Sequence, residues 1–166
     1  MSTALTYPWL EAPLRELLAT HRGHAVLLAG PQGVGQFELA LALAQAWLCE
    51  GDAPARPCGT CASCALVRSH THPDLMVLLP EALQEELGWG SADADTEAKA
   101  SKAKPSREIK VDALRRVVEF AQQTSSRGVA KVVLVHPAER MNAISANTLL
   151  KTLEEPPGQA RFVLST

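Results

Sequence analysis

Residues 25–37 read AVLLAGPQGVGQF. The run of five apolar residues at the start suits a strand buried in a parallel sheet. It enters a turn containing Gly30, Gly33 and Gly35. From Gln36 onward, Phe37, Ala40, Leu41, Ala44 and Leu48 recur at the spacing of one helix face. Strand, glycine turn and helix form the frame in which a phosphate-binding loop, G-x-x-x-x-G-K-[ST], operates. There, backbone N–H groups at the helix start face the anion, the lysine reaches the outer phosphates and the hydroxyl holds Mg²⁺. In GPQGVGQF, Gly30 and Gly35 fill the two glycine positions, but Gln36 stands at the lysine and Phe37 at the hydroxyl. A glutamine amide carries no full charge, and losing one charge-assisted hydrogen bond, about 1.5–3 kcal/mol, lowers phosphate affinity roughly ten- to a hundredfold. A phenyl ring cannot ligate Mg²⁺.

Outward from this loop the same alternation continues. Residues 75–79 (LMVLL), 131–135 (KVVLV) and 162–164 are further strands. Helices are expected over residues 9–18, 81–87, 111–121 and 146–153, the last terminated by Pro156 and Pro157. Strands alternating with helices predict an α/β fold, a parallel sheet with helices on both faces. The end of the third strand reads HPAERMN. An ATPase places there an acid that organises Mg²⁺, and often a second that activates water. His136 and Pro137 occupy those places, and Glu139 lies beyond them. No catalytic residue is therefore assigned. Two readings of the loop stay open. In one, Gly30, Gly33 and Gly35 serve close packing and the loop holds no ligand. In the other, the loop binds nucleotide or phosphate weakly.

All four cysteines fall in residues 49–64, spaced Cys49-x8-Cys58-x2-Cys61-x2-Cys64. Four thiolates surround Zn²⁺ tetrahedrally, and a full sulfur set leaves no place for a catalytic water, so a structural zinc is expected. His70 and His72 stand nearby but are unnecessary as ligands. Disulfides are disfavoured by the reducing, cytoplasmic setting that the absence of a secretory signal suggests. No stretch approaches the roughly 20 apolar residues of a membrane span.

Length suits one domain over residues 1–166, and 46% hydrophobic with only 4% aromatic residues implies an aliphatic core. A net charge of −2 gives no global basic field for nucleic acid. Residues 88–107 are poor in apolar side chains. They read as a solvated, flexible insertion, or as a basic patch built on Lys99, Lys102, Lys104 and Arg107.

GPQGVG, the four-cysteine insertion after the loop helix, HTHPDL at residues 70–75 and NTLLKTLEEPP at residues 147–157 together resemble one family, the bacterial clamp-loader subunits of DNA polymerase III. The cysteine module narrows the resemblance to the gamma/tau and delta-prime branch. Gln36, Phe37, His136 and Pro137 in place of the lysine, hydroxyl and acids are similar to the delta-prime pattern. The resemblance implies an AAA+ P-loop-type fold, incomplete at its C-terminus. It also implies a ring with gamma/tau and delta subunits that opens the sliding clamp and sets it on primed DNA, using ATP bound by neighbouring subunits. In that ring this chain is a non-hydrolysing platform, part of a nucleotidyltransferase complex. A Ser-Arg-Cys motif that lends an arginine to a neighbour is expected after Thr166. Thr166 falls at a γ-phosphate sensor position, and Tyr7, Pro8 and Trp9 fall where an adenine rests in active relatives. The helix starts near Val111 and Asn142 face DNA inside such a ring. Two other readings compete: a P-loop ATPase with an unusual loop, and a zinc-dependent nucleic-acid-binding module. The low charge and the lack of aromatic–basic interleaving weigh against the second.

Overall fold

The computed structural model describes residues 7–52, 54, 56–89 and 104–166. Its strands are β1 (Ala25–Leu28), β2 (Leu75–Leu78), β3 (Lys131–Val135) and β4 (Ala160–Ser165). Its helices are α1 (Glu11–Thr20), α2 (Gln36–Leu48), α3 (Ala62–Arg68), α4 (Glu81–Leu87), α5 (Val111–Gln122) and α6 (Ala143–Glu154). Single 3₁₀ turns cover Pro8–Leu10 and Ala138–Arg140.

The four strands form one sheet in the order β1-β4-β3-β2, and every pair is parallel. This order dictates where the helices lie. The β1-to-β2 connection crosses the sheet in one direction, whereas β2-to-β3 and β3-to-β4 step back in the other. Right-handed crossovers in opposite directions put their helices on opposite faces. Accordingly α1 and α2 pack on one face with Leu134 and Val163, and α5 and α6 pack on the other with Val133, Val135 and Phe162. Adjacent residues of β3 and β4 thus serve different cores, as the two-residue strand period requires.

β3 is buried along its whole length. β1 differs from expectation. It ends at Leu28, lies at the sheet edge among the described residues, and leaves Leu27 60% exposed. An apolar run alone does not distinguish an inner strand from an edge strand. The first helix is also modified. A 3₁₀ turn opens it, and Pro13 sits in the first turn of α1, where its missing N–H costs nothing. The insertion reading of residues 88–107 falls mostly on residues 90–103, which lie outside the described residues.

Candidate functional site

The carboxyl ends of parallel strands are where an open α/β sheet offers a crevice. The glycine loop after β1, Pro80 after β2, His136 and Pro137 after β3, and Thr166 after β4 all line one cleft of about 610 Å³. The sequence-predicted loop and the third-strand residues therefore meet in space.

Gly33 and Gly35 have φ of 86° and 98°, a region that L side chains rarely adopt. A Cβ on Gly35 would also lie 3.0 Å from Leu10 and 3.1 Å from Tyr7, so the loop packs tightly on the first helix. Gly30 has no such φ, but its Cα faces the Gln36 amide. That amide is turned back onto the loop. Its Nε2 donates to the Gly30 carbonyl at 2.8 Å, the Pro31 carbonyl at 2.6 Å and, longer, the Thr166 carbonyl at 3.4 Å. Gln36 thus ties the loop to the end of β4 while it lines the cleft wall.

Phe37 is only 8% exposed. Its ring lies 5.2 Å from the His136 ring and meets Trp89 edge-on at 6.3 Å. The position that carries a hydroxyl in a working loop thus carries a ring packed beside two others. His136 Nδ1 is 2.9 Å from Ser165 Oγ. Burial pushes the His136 pKa down, against the opposing pull of Glu139 and Glu38, so the ring is neutral near pH 7. Burial raises the Glu139 pKa, but the Thr166 hydroxyl and neighbouring groups outweigh it and keep the carboxyl below its ordinary value. Glu38 lies in the first turn of α2, beside the N–H groups that would otherwise face an anion. Gln36 and Phe37 supply neither the charge nor the hydroxyl that a working loop carries at those positions, and the cations that line the cleft are Arg107 and Arg140. Tyr7 stacks on Trp9 at 4.8 Å, and Trp9 Nε1 donates to the Val34 carbonyl, so both aromatics brace the loop.

The four cysteines converge. Cys49 caps the end of α2, Cys58 sits in the following loop, Cys61 is the N-cap of α3 and Cys64 lies in its first turn. Their sulfurs all lie within 4.8 Å of one another, and those of Cys49 and Cys61 are 3.9 Å apart. Sulfurs bound to a tetrahedral zinc at 2.3 Å are ~3.8 Å apart, whereas a disulfide needs ~2.05 Å. The spacing fits a shared metal, and no disulfide is present among the described residues. Backbone N–H groups of Gly51 and Cys58 donate to Cys49, that of Cys61 to Cys58 and that of Cys64 to Cys61. Such bonds favour thiolates. Donation from Thr60 and Cys61 holds Cys58 down at about 5, while burial pushes Cys64 up to about 12. A cation at the centre would oppose the second effect.

Sequence reasoning missed α3, which carries Cys64, and the polar network behind it. His72 is 5% exposed and bonds Ser63 Oγ through Nε2 at 2.7 Å, so it is not turned toward the sulfurs. His70 stacks on Trp89 at 3.7 Å. Asp74 is fully buried and accepts from Ser125 Oγ, the N–H groups of Ser126 and Arg127, and Lys131 Nζ. The signals in the sequence were HTHPDL at residues 70–75 and its acid immediately before an apolar strand.

The family model described as DNA polymerase III, delta subunit, matches residues 11–166. The chain is 41% identical over 160 residues to DNA polymerase III subunit delta' of Pseudomonas aeruginosa, covering 95% of this chain and 42% of that protein. It is 35% identical over 164 residues to the delta' subunit of Escherichia coli, covering 96% and 42%. It is 33% identical over 143 residues to the Escherichia coli tau subunit, covering 86% and 18%. The chain thus spans about two fifths of the length of its delta' relatives. A gamma subunit-related protein of DNA polymerase III from Thermotoga maritima has a similar structure, with TM-score 0.57 at 23% identity, covering 95% of this chain and 38% of that one. No helix among the described residues is long and apolar enough to cross a membrane.

Proposed function

Since the chain belongs to the DNA polymerase III delta-subunit family, we propose that it is the nucleotide-binding-like part of a non-hydrolysing clamp-loader subunit of the delta-prime type. It acts as a platform in a ring with gamma/tau and delta subunits, which loads the sliding clamp onto primed DNA with ATP bound by its neighbours. The supporting observation is what Gln36 and Phe37 do at the wall of the cleft. Gln36 is tied to the loop's own carbonyls and Phe37 is packed against Trp89 and His136. The loop keeps its shape while its charge and metal seat are replaced by contacts that hold the fold.

The test is calorimetry and a turnover assay with ATP and Mg²⁺ on the full chain. Weak or no binding and no hydrolysis are expected, and Gln36→Lys alone should not restore turnover. Micromolar affinity accompanied by hydrolysis would overturn the reading and favour an active ATPase.

Cys49, Cys58, Cys61 and Cys64 hold a structural zinc in this proposal. The metal supplies a cross-link between the end of α2 and α3, which compensates for the small apolar core of the module. Metal analysis of purified protein should find about one zinc per chain. Acidification should release it, because protons compete for the thiolates. Metal-free protein that is fully folded with four titratable thiols would sink the assignment.

A further inference from the structure

The four sulfurs come from three separate places: the end of α2, a loop and the start of α3. Ordering the pieces of a metal site assembled this way costs free energy, which a device that holds them beforehand reduces. The structure contains such a device outside the ligands themselves. Ser63 Oγ donates to the Leu48 carbonyl at 2.6 Å. His72 Nδ1 accepts from the Asp74 N–H at 3.0 Å, which leaves the proton on Nε2, and this donates to Ser63 Oγ at 2.7 Å. The Asp74 carboxylate accepts from the Arg127 N–H at 2.9 Å. The Arg127 guanidinium then reaches Glu50 at 2.6 Å. Leu48 and Glu50 flank Cys49, and Ser63 precedes Cys64. The chain of bonds therefore closes into a ring that passes beside two of the four cysteines.

We infer that Ser63, His72, Asp74 and Arg127 are positioning residues of the metal site: their closed ring of hydrogen bonds clamps the Cys49 end of the module against the Cys64 end. The inference rests on the zinc reading above. Three observations carry it. Ser63 and Asp74 are 0% exposed and His72 is 5% exposed, so water competes little for their bonds, whereas the Arg127–Glu50 pair that closes the ring is partly exposed, at 31% and 30%. Each of the donors and acceptors named has its partner within the ring or on the adjoining backbone. Finally, the ring joins the module to β2 and to the segment before β3, so the rigid sheet is the reference against which the cysteines are held. None of the four belongs to the ligand set, which is Cys49, Cys58, Cys61 and Cys64. They act by reducing the ordering that metal binding must impose.

The experiment uses the full chain, reduced and metal-free. Zn²⁺ is titrated in competition with a chromophoric chelator, and Co²⁺ is titrated while its visible absorption is followed. The wild-type chain should bind one ion with the bands of a tetrahedral thiolate site. Ser63→Ala and His72→Ala should bind roughly ten- to a hundredfold more weakly, with altered Co²⁺ bands. Arg127→Gln should weaken binding in the same direction. Leu149→Ala, a core truncation on α6 in the cluster on the sheet face opposite α2, should lower the melting temperature and leave metal affinity unchanged. Ser63→Ala and Arg127→Gln that bind zinc as tightly as wild type, with unaltered Co²⁺ spectra, overturn the positioning role. A wild-type chain that binds neither ion instead overturns the zinc reading itself, so the two failures are distinct. If His72→Ala does not fold, Ser63→Ala decides, because it removes a single oxygen.

Discussion

Gln36 and Phe37 have acquired structural work in exchange for the chemistry their positions lack. Gln36 closes the loop onto Thr166, and Phe37 has become part of the core that α2 shares with Leu134 and Val163. Restoring the hydroxyl by Phe37→Thr therefore removes a buried ring, and should destabilise the chain by about 3–5 kcal/mol without producing turnover. Denaturant midpoints measure the first effect, and a phosphate-release assay on the Gln36→Lys/Phe37→Thr double variant measures the second. The glycines separate in the same way. Gly33→Ala meets no atom within 4 Å and carries only the cost of positive φ, about 1–2 kcal/mol. Gly35→Ala adds the collision with Leu10 and Tyr7 and should cost clearly more. Equal losses for the two variants would show that the close approach to Leu10 and Tyr7 is unimportant.

At the level of elements, the connection from α5 to β3 is held by Asp74. Burial raises its pKa, but the N–H groups of Ser126 and Arg127, Lys131 and Ser125 together outweigh that and keep it ionised. The Lys131 side chain is itself 5% exposed and lies 3.2 Å from Asp74, so removing the carboxylate strands a buried cation. Asp74→Ala should cost about 3–5 kcal/mol. Adding Lys131→Met should recover part of that loss, and a double-mutant cycle by urea unfolding checks the coupling. The exposed pairs behave differently. Lys110–Glu81 and Arg115–Asp112 are both well exposed, and their removal should change stability little.

For the whole molecule, acid should be destabilising in two stages. His136 has a lower pKa in the fold than in the unfolded chain because burial disfavours its charged form. The unfolded chain therefore binds the extra proton first. Stability from this group is present above the ordinary imidazole value of about 6.5 and is lost as pH falls below it. Asp74 acts with the same sign in a lower window. Its depressed pKa gives stability that is present above about 3.9 and lost as pH falls further. Melting curves at pH 7, 5.5 and 3.5 follow both stages. His136→Asn, compared with wild type at each pH, separates the His136 share of the first stage from that of His72, whose pKa burial also lowers, and from proton competition at the cysteines. A pH 7-to-5.5 loss equal in the two proteins would remove His136 as its cause.

Local sequence determined the alternation of strands and helices, the turn at Gly33 and Gly35, the absence of lysine and hydroxyl from the loop, and the clustering of Cys49, Cys58, Cys61 and Cys64. These follow from periodicity, backbone freedom and side-chain identity, which are properties of short stretches. β3 was legible to the residue because KVVLV is apolar along its length and bounded by turns. α3 was not, since a seven-residue helix makes only about two turns, too few to show a period, and its start depends on the Cys61 thiol accepting the Cys64 N–H. The strand order, the edge position of β1, the fold-back of Gln36 and the ring through His72 and Asp74 came only from the tertiary structure. Asp74 meets partners 51 to 57 residues away, and no local pattern announces them. Burial then decides what each contact does: it makes His136 neutral and Phe37 a core residue, and it joins His72 and Asp74 into a clamp. These are consequences of the water excluded when distant segments pack together.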